Sequence, residues 1–130
     1  MLSKAQLADL LGERWKCRFV RSGDGFSFDY ALVREEKEVT ALCDVYLRDE
    51  PWVHYQKRWG FPITLTRLSG IKMYAEHVKV PYIVVVHSTQ DNSIHYVRIS
   101  KFDHYKDAFL HDDEPHVNIH IDDFLEMSPP

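Results

Sequence analysis

The sequence predicts a single α/β domain of the α+β kind, with helices packed on a mixed central β-sheet. Three observations lead there. The predicted elements run helix, strand, strand, helix, strand, strand. The stretch PYIVVVHS is a short, unbroken apolar run, the pattern of a strand buried on both faces. A buried strand reached through a crossover helix gives a mixed sheet with helices against it. The chain has 130 residues, 45% hydrophobic and 28% charged, the size and balance of one globular domain. No repeat, low-complexity tract or linker divides residues 1–130.

Each element has its own signal. Ser3 and Gln6 fit a capping box, and Leu2 and Leu7 stand where a hydrophobic staple packs. Leu7, Leu10, Leu11 and Trp15 then form the apolar stripe of a first helix. RSGDG is a turn into the strand FSFDYALV, and Glu35, Glu36 and Lys37 turn the chain into a second strand from Glu38 to Arg48. Both strands are largely apolar on two faces, which places them inside the sheet. Residues 49–63 read as irregular. Leu68, Ile71, Ala75 and Val78 recur at helical spacing over Thr64 to Val78, and Pro81 stops that helix. PYIVVVHS and SIHYVRIS are two strands joined at TQDN. Residues 101–115 read as loop with a short helix, and HVNIHI as a last strand.

Composition narrows the function. No apolar run approaches the roughly 20 residues of a membrane span. The N-terminus lacks the pattern of a secretory signal. Cys17 and Cys43 are too few for a disulfide framework or, alone, a zinc site. These features predict reduced thiols, a cytoplasmic location and no membrane partner. The net charge of −4 is unevenly spread. Residues 101–130 hold eight acids against Lys101 and Lys106, a balance of −6, which leaves +2 on residues 1–100. That body is not too acidic to meet a phosphate backbone.

Two carboxylates stand out. Asp29 and Asp44 both lie within predicted apolar strands, on the two arms of one hairpin. A carboxylate there is costly unless paired or metal-bound. Two on adjacent strands offer the hard oxygen ligands that Mg²⁺ takes, and such an ion activates water at a phosphodiester. The other reading has them bonded to backbone or to Arg48.

The segment FDYALVREEKEVTALCDVYLRD resembles the core of the PD-(D/E)XK, or restriction-endonuclease-like, phosphodiesterases. These place an Asp on one strand and a (D/E)-x-K triplet on the next; here 15 residues separate Asp29 from Asp44. TLTRLSGIKMYAEHVKVPYIVVV resembles the helix and buried strand that follow, and EPHVNIHIDDF the terminal strand of small nuclease-like proteins of phage or mobile elements. The resemblance implies a hydrolase acting on nucleic acid, DNA more than RNA, and allows a homodimer. It makes Asp29 and Asp44 ligands of Mg²⁺, with Glu13 as an accessory acid, and puts Arg48 near phosphate. The triplet, however, reads Asp44-Val45-Tyr46, so the lysine that positions the attacking water is replaced by Tyr46. Loss of one such donor costs about 3 kcal/mol, roughly a hundredfold in rate. Arg67 and Lys72, on the second helix, are the candidate substitutes; if neither serves, the chain is a pseudonuclease that binds nucleic acid or a protein. Glu13, Arg67 and Lys72 also read as ordinary surface groups of helices.

DEPWVHYQKRWGF sets Trp52, Tyr55, Trp59 and Phe61 among His54, Lys57 and Arg58. Rings beside cations suit single-stranded nucleic acid, with Lys57, Arg58 and Trp59 as contacts. They suit equally a loop folded onto the core, or a protein-partner patch. His116 and His120 share a strand face, but no third metal ligand accompanies them.

Overall fold

A computed structural model describes residues 2–23, 28–35, 37–102 and 108–127. The chain runs α1 (Lys4–Trp15), β1 (Arg18–Arg21), β2 (Tyr30–Arg34), β3 (Glu38–Arg48), α2 (Trp52–Lys57), β4 (Gly60–Thr64) and α3 (Leu65–Val78). It continues through β5 (Tyr82–Ser88), β6 (Ser93–Ile99), β7 (Ala108–His111) and β8 (Glu114–His120), then a 3₁₀ turn (Ile121–Asp123) and β9 (Leu125–Met127). A six-stranded sheet has the order β1-β2-β3-β5-β6-β9, and a three-stranded sheet the order β4-β8-β7. Among the described residues only β3 and β5 pair in parallel, across the connection that includes α3; the other pairs are antiparallel. The large sheet is therefore mixed, as predicted.

Period-two alternation builds the two cores. Ala41, Cys43, Val45, Val85 and Ile94 face Leu7 and Leu11 of α1. Leu42, Val84, Val86 and Val97 face Leu68, Ile71 and Ala75 of α3 and Phe61, Ile63, Val117 and Ile119 of the small sheet. The capping box at α1 is present: Gln6 N donates to the Ser3 hydroxyl at 3.1 Å, and Ser3 N to the Gln6 side chain at 2.9 Å. Among the described residues no helix is long and apolar enough to cross a membrane.

The structure departs from the predicted elements in five places. Residues 49–63 hold α2 and β4, with Trp52 and Tyr55 buried. Six residues are too few to show helical periodicity, and Pro62 masks β4, which sits at a sheet edge where a missing N–H is tolerated. β1 and β7 lack an apolar face: β1 is mostly exposed and β7 wholly so. β9 has only three residues. Finally, β2 starts at Tyr30, so Asp29 precedes the strand; Phe26 and Ser27 of the predicted strand lie outside the described residues, as does part of the short helix expected within 101–115.

Candidate functional site

The site is assembled where β2 meets β3. Tyr30 pairs with Cys43 and Ala31 with Leu42, a register that sets Asp29 opposite Asp44. Each carboxylate then takes a backbone N–H from the other strand. Asp29 N donates to Asp44 Oδ1 at 2.8 Å, and Val45 N donates to Asp29 Oδ2 at 3.0 Å. The side chains thus extend the hairpin beyond its last regular pair. Asp44 is 0% exposed, so its charge must be matched inside the protein.

Arg67 supplies the match. Thr64 caps α3, accepting from Arg67 N at 3.2 Å, which places Arg67 in the first turn beside β3. Its guanidinium bridges both acids: Nε to Asp44 Oδ2 at 2.8 Å, Nη2 to Asp44 Oδ1 at 2.6 Å and Nη2 to Asp29 Oδ1 at 3.0 Å. The contact to Asp44 uses both oxygens in the fork geometry that favours arginine over lysine. Its hydrogen bonds to Asp44 push the Arg67 pKa upward, against the opposing effect of burial. Two more donors finish the cluster. The Tyr82 hydroxyl donates to Asp44 Oδ2 at 2.5 Å, and Lys4 Nζ lies 3.2 Å from Asp29 Oδ2.

Tyr46, where the resemblance expects a lysine, faces this cluster. Burial first, and then the Asp44 charge, push its hydroxyl far above the ordinary tyrosine range. It is a neutral group that can donate a hydrogen bond but cannot serve as a cation. Its ring meets Phe61 edge-on at 5.2 Å and carries the Arg48 guanidinium at 5.0 Å.

The residues present do not fit the magnesium ion that the resemblance implies. All four carboxylate oxygens of Asp29 and Asp44 already accept hydrogen bonds, and Arg67 takes the position between them. Lys4 and Arg67 offset the two negative charges that would hold a cation. Among the described residues, no group of three or more His, Cys, Asp and Glu side chains is placed to hold a metal.

The other predicted residues are dispersed. Glu13 is exposed, nine residues along α1 from Lys4 or about 13 Å at helical rise. It borders a surface groove with Cys17 and Arg18. Lys72 is 44% exposed and pairs with Glu76 at 3.7 Å. Lys57 and Arg58 are exposed at the end of α2. Trp59 is 72% exposed and borders a cleft that also contains Asp91, Asp122 and Glu126. Sequence reasoning missed Tyr82 and Lys4. Tyr82 opens an apolar run and reads as core; Lys4 follows a cap and reads as surface. Lys4, Arg21 and Arg67 together line a cleft of about 630 Å³ between α1 and the start of β2.

No family model matches the chain, and no curated protein does. Among solved structures it is similar to Hjc, a Holliday junction resolvase from the hyperthermophilic archaeon Archaeoglobus fulgidus. The two share 12% sequence identity with a TM-score of 0.54, over 89% of this chain and 88% of that one. A likeness at this identity speaks for the fold.

Proposed function

We propose that the chain uses its restriction-endonuclease-like fold, the one FDYALVREEKEVTALCDVYLRD predicts, to bind nucleic acid, DNA in preference to RNA, without metal-dependent cleavage at Asp29 and Asp44. One observation carries the second half of this reading. Arg67 pairs with both aspartates at 2.6–3.0 Å, so a metal there would have to displace a guanidinium and leave it unpaired. The first half draws on the fold shared with a junction resolvase and on the +2 charge of residues 1–100. It draws also on Arg21, which lines the cleft beside the paired Lys4 and Arg67. Phosphate contacts of this kind give affinity without reading sequence. Arg48, held over the Tyr46 ring, and Arg58 and Lys57 at the end of α2 are further candidates for the backbone.

The test is fluorescence anisotropy with labelled single-stranded, duplex and four-way-junction DNA and with RNA, at several salt concentrations. The expected result is binding to DNA that weakens with salt, with a log–log slope that falls by about 0.9 for each phosphate contact removed in Arg21→Ala or Arg48→Ala. Absence of binding at about 50 mM salt rules out the nucleic-acid reading. Incubation of the same substrates with Mg²⁺ or Mn²⁺ is expected to leave them intact. Cleavage that disappears in Asp44→Asn contradicts the inactive-site reading.

A further inference from the structure

A second cleft, of about 750 Å³, shares no residue with the Asp29–Asp44–Arg67 cluster. It is lined by α2, the β5–β6 turn, β6, and the 3₁₀ turn and start of β9. Its aromatic wall is Trp52, stacked on His95 at 3.8 Å with the rings 5° apart, and Phe124, edge-on to Trp52 at 5.1 Å. Its rim carries the Trp59 indole and the carboxylates of Asp91, Asp122 and Glu126, and among the described residues no lysine or arginine lines it.

Among the described residues, two polar groups in this cleft are buried without a partner. Ser93 is 8% and His95 7% exposed, and neither Ser93 Oγ nor His95 Nδ1 makes a hydrogen bond. A buried group left so is costly and calls for an account. Asp91 is partly engaged, since its Oδ2 accepts from Trp52 N at 2.6 Å; Asp122 and Glu126 are exposed. Trp59 itself holds a left-handed backbone, φ 64°. That conformation is unfavourable for a bulky side chain, and such strain collects at functional positions.

Three carboxylates repel a phosphate chain, so this is no extension of a DNA surface. Aromatic faces and carboxylates together select a cation. We infer that the cleft is a receptor for a guanidinium group, such as an arginine side chain presented by a partner polypeptide. A guanidinium is planar and stacks on an indole, and its five donors suit several acceptors at once. Here those acceptors are Glu126, Asp122, the Ser93 hydroxyl and the His95 ring nitrogen. A compact ammonium has fewer donors and no stacking face. The inference does not depend on the nucleic-acid reading: it reassigns Trp59 to this cleft, which Lys57 and Arg58 do not line.

Tryptophan fluorescence of the full chain tests it, with agmatine, spermidine, a short blocked Arg-Gly-Arg peptide and, as an anionic control, a deoxynucleotide. The expected result is saturable quenching by agmatine and the peptide and none by the nucleotide. Trp59→Phe and an Asp122→Asn/Glu126→Gln double variant, all at exposed positions, separate binding from folding, which circular dichroism checks. A loss of affinity of about tenfold in the double variant, equal to about 1.4 kcal/mol, supports the receptor. Binding of the peptide at least tenfold tighter than agmatine supports a polypeptide source; equal binding of the two supports a free guanidine of low mass. Spermidine that competes as well as agmatine overturns the guanidinium preference. Absence of saturable binding, or binding unchanged in the double variant, overturns the site.

Discussion

Arg67 stands in the first turn of α3 and touches carboxylates from two strands that are neighbours only in space. Its removal would leave Asp44 buried with one hydroxyl and one backbone donor against a full negative charge. Arg67→Ala should therefore destabilise the fold by about 3 kcal/mol, read by urea denaturation. Arg67→Lys should recover only part of that loss, because an ammonium cannot bond both Asp44 oxygens in a fork. Completing a (D/E)-x-K triplet through Tyr46→Lys should not create a nuclease: the new ammonium would join a cluster already neutralised by Arg67 and Lys4. The expected outcome in a cleavage assay is no product, with a lowered melting temperature from the added cation. The aspartate pair was legible in the sequence because two acids in apolar strands need a reason to be there. Arg67 was legible as a nearby cation, but not its role. Whether a cation replaces a catalytic lysine or occupies the metal position turns on a few ångströms, which residue spacing does not resolve.

At the scale of elements, the junction of α2 and β4 concentrates both close packing and strain. A Cβ on Gly60 would lie 2.6 Å from the Ile119 carbonyl and 2.9 Å from Asn118 Cβ, where β4 meets β8. Gly60→Ala should cost on the order of 1–3 kcal/mol, since the opposing group is backbone and cannot yield cheaply. One residue earlier, Trp59→Gly should raise stability by about 1 kcal/mol by relieving the left-handed backbone, while removing the exposed indole from the guanidinium cleft. His95 gives this region a pH dependence. Burial lowers its pKa from the ordinary 6.5, against the raising effect of Glu126 and Asp91. The unfolded chain therefore binds the proton more readily than the folded one, and stability declines as pH falls below about 6.5. A His95→Gln variant should show a shallower decline in chemical denaturation across pH 5–7. Sequence periodicity revealed β3, α3, β5 and β6, which bury whole faces. It failed for α2, β4, β7 and β9, whose apolar residues are too few or too exposed to show a period.

For the molecule as a whole, the sheet order follows from the crossover that brings β5 alongside β3, and with it Tyr82 to Asp44. That parallel pair was legible because PYIVVVHS is apolar on both faces. The three-stranded sheet was not, since β4 and β8 lie far apart in sequence and their antiparallel ladder, with Phe61 opposite Ile119, forms only in the folded chain. The same folding sorts charge. Lys4, Arg21 and Arg67 line one cleft together with Asp9 and Asp29, while Asp91, Asp122 and Glu126 gather around Trp59. A chain with a net charge of −4 thereby carries one cleft of mixed charge and one lined by carboxylates, which the two proposals assign to phosphate and to a cation. The shared fold leaves open a metal centre between Asp29 and Asp44, and the Arg67 bridge closes it. Calorimetric titration of the full chain with Mn²⁺ and Mg²⁺ distinguishes the two, with Arg67→Ser and Asp44→Asn run in parallel. The bridge predicts no saturable site at millimolar metal in the parent, and a site that emerges when Arg67→Ser frees the carboxylates. A stoichiometric site in the parent that vanishes in Asp44→Asn would contradict it.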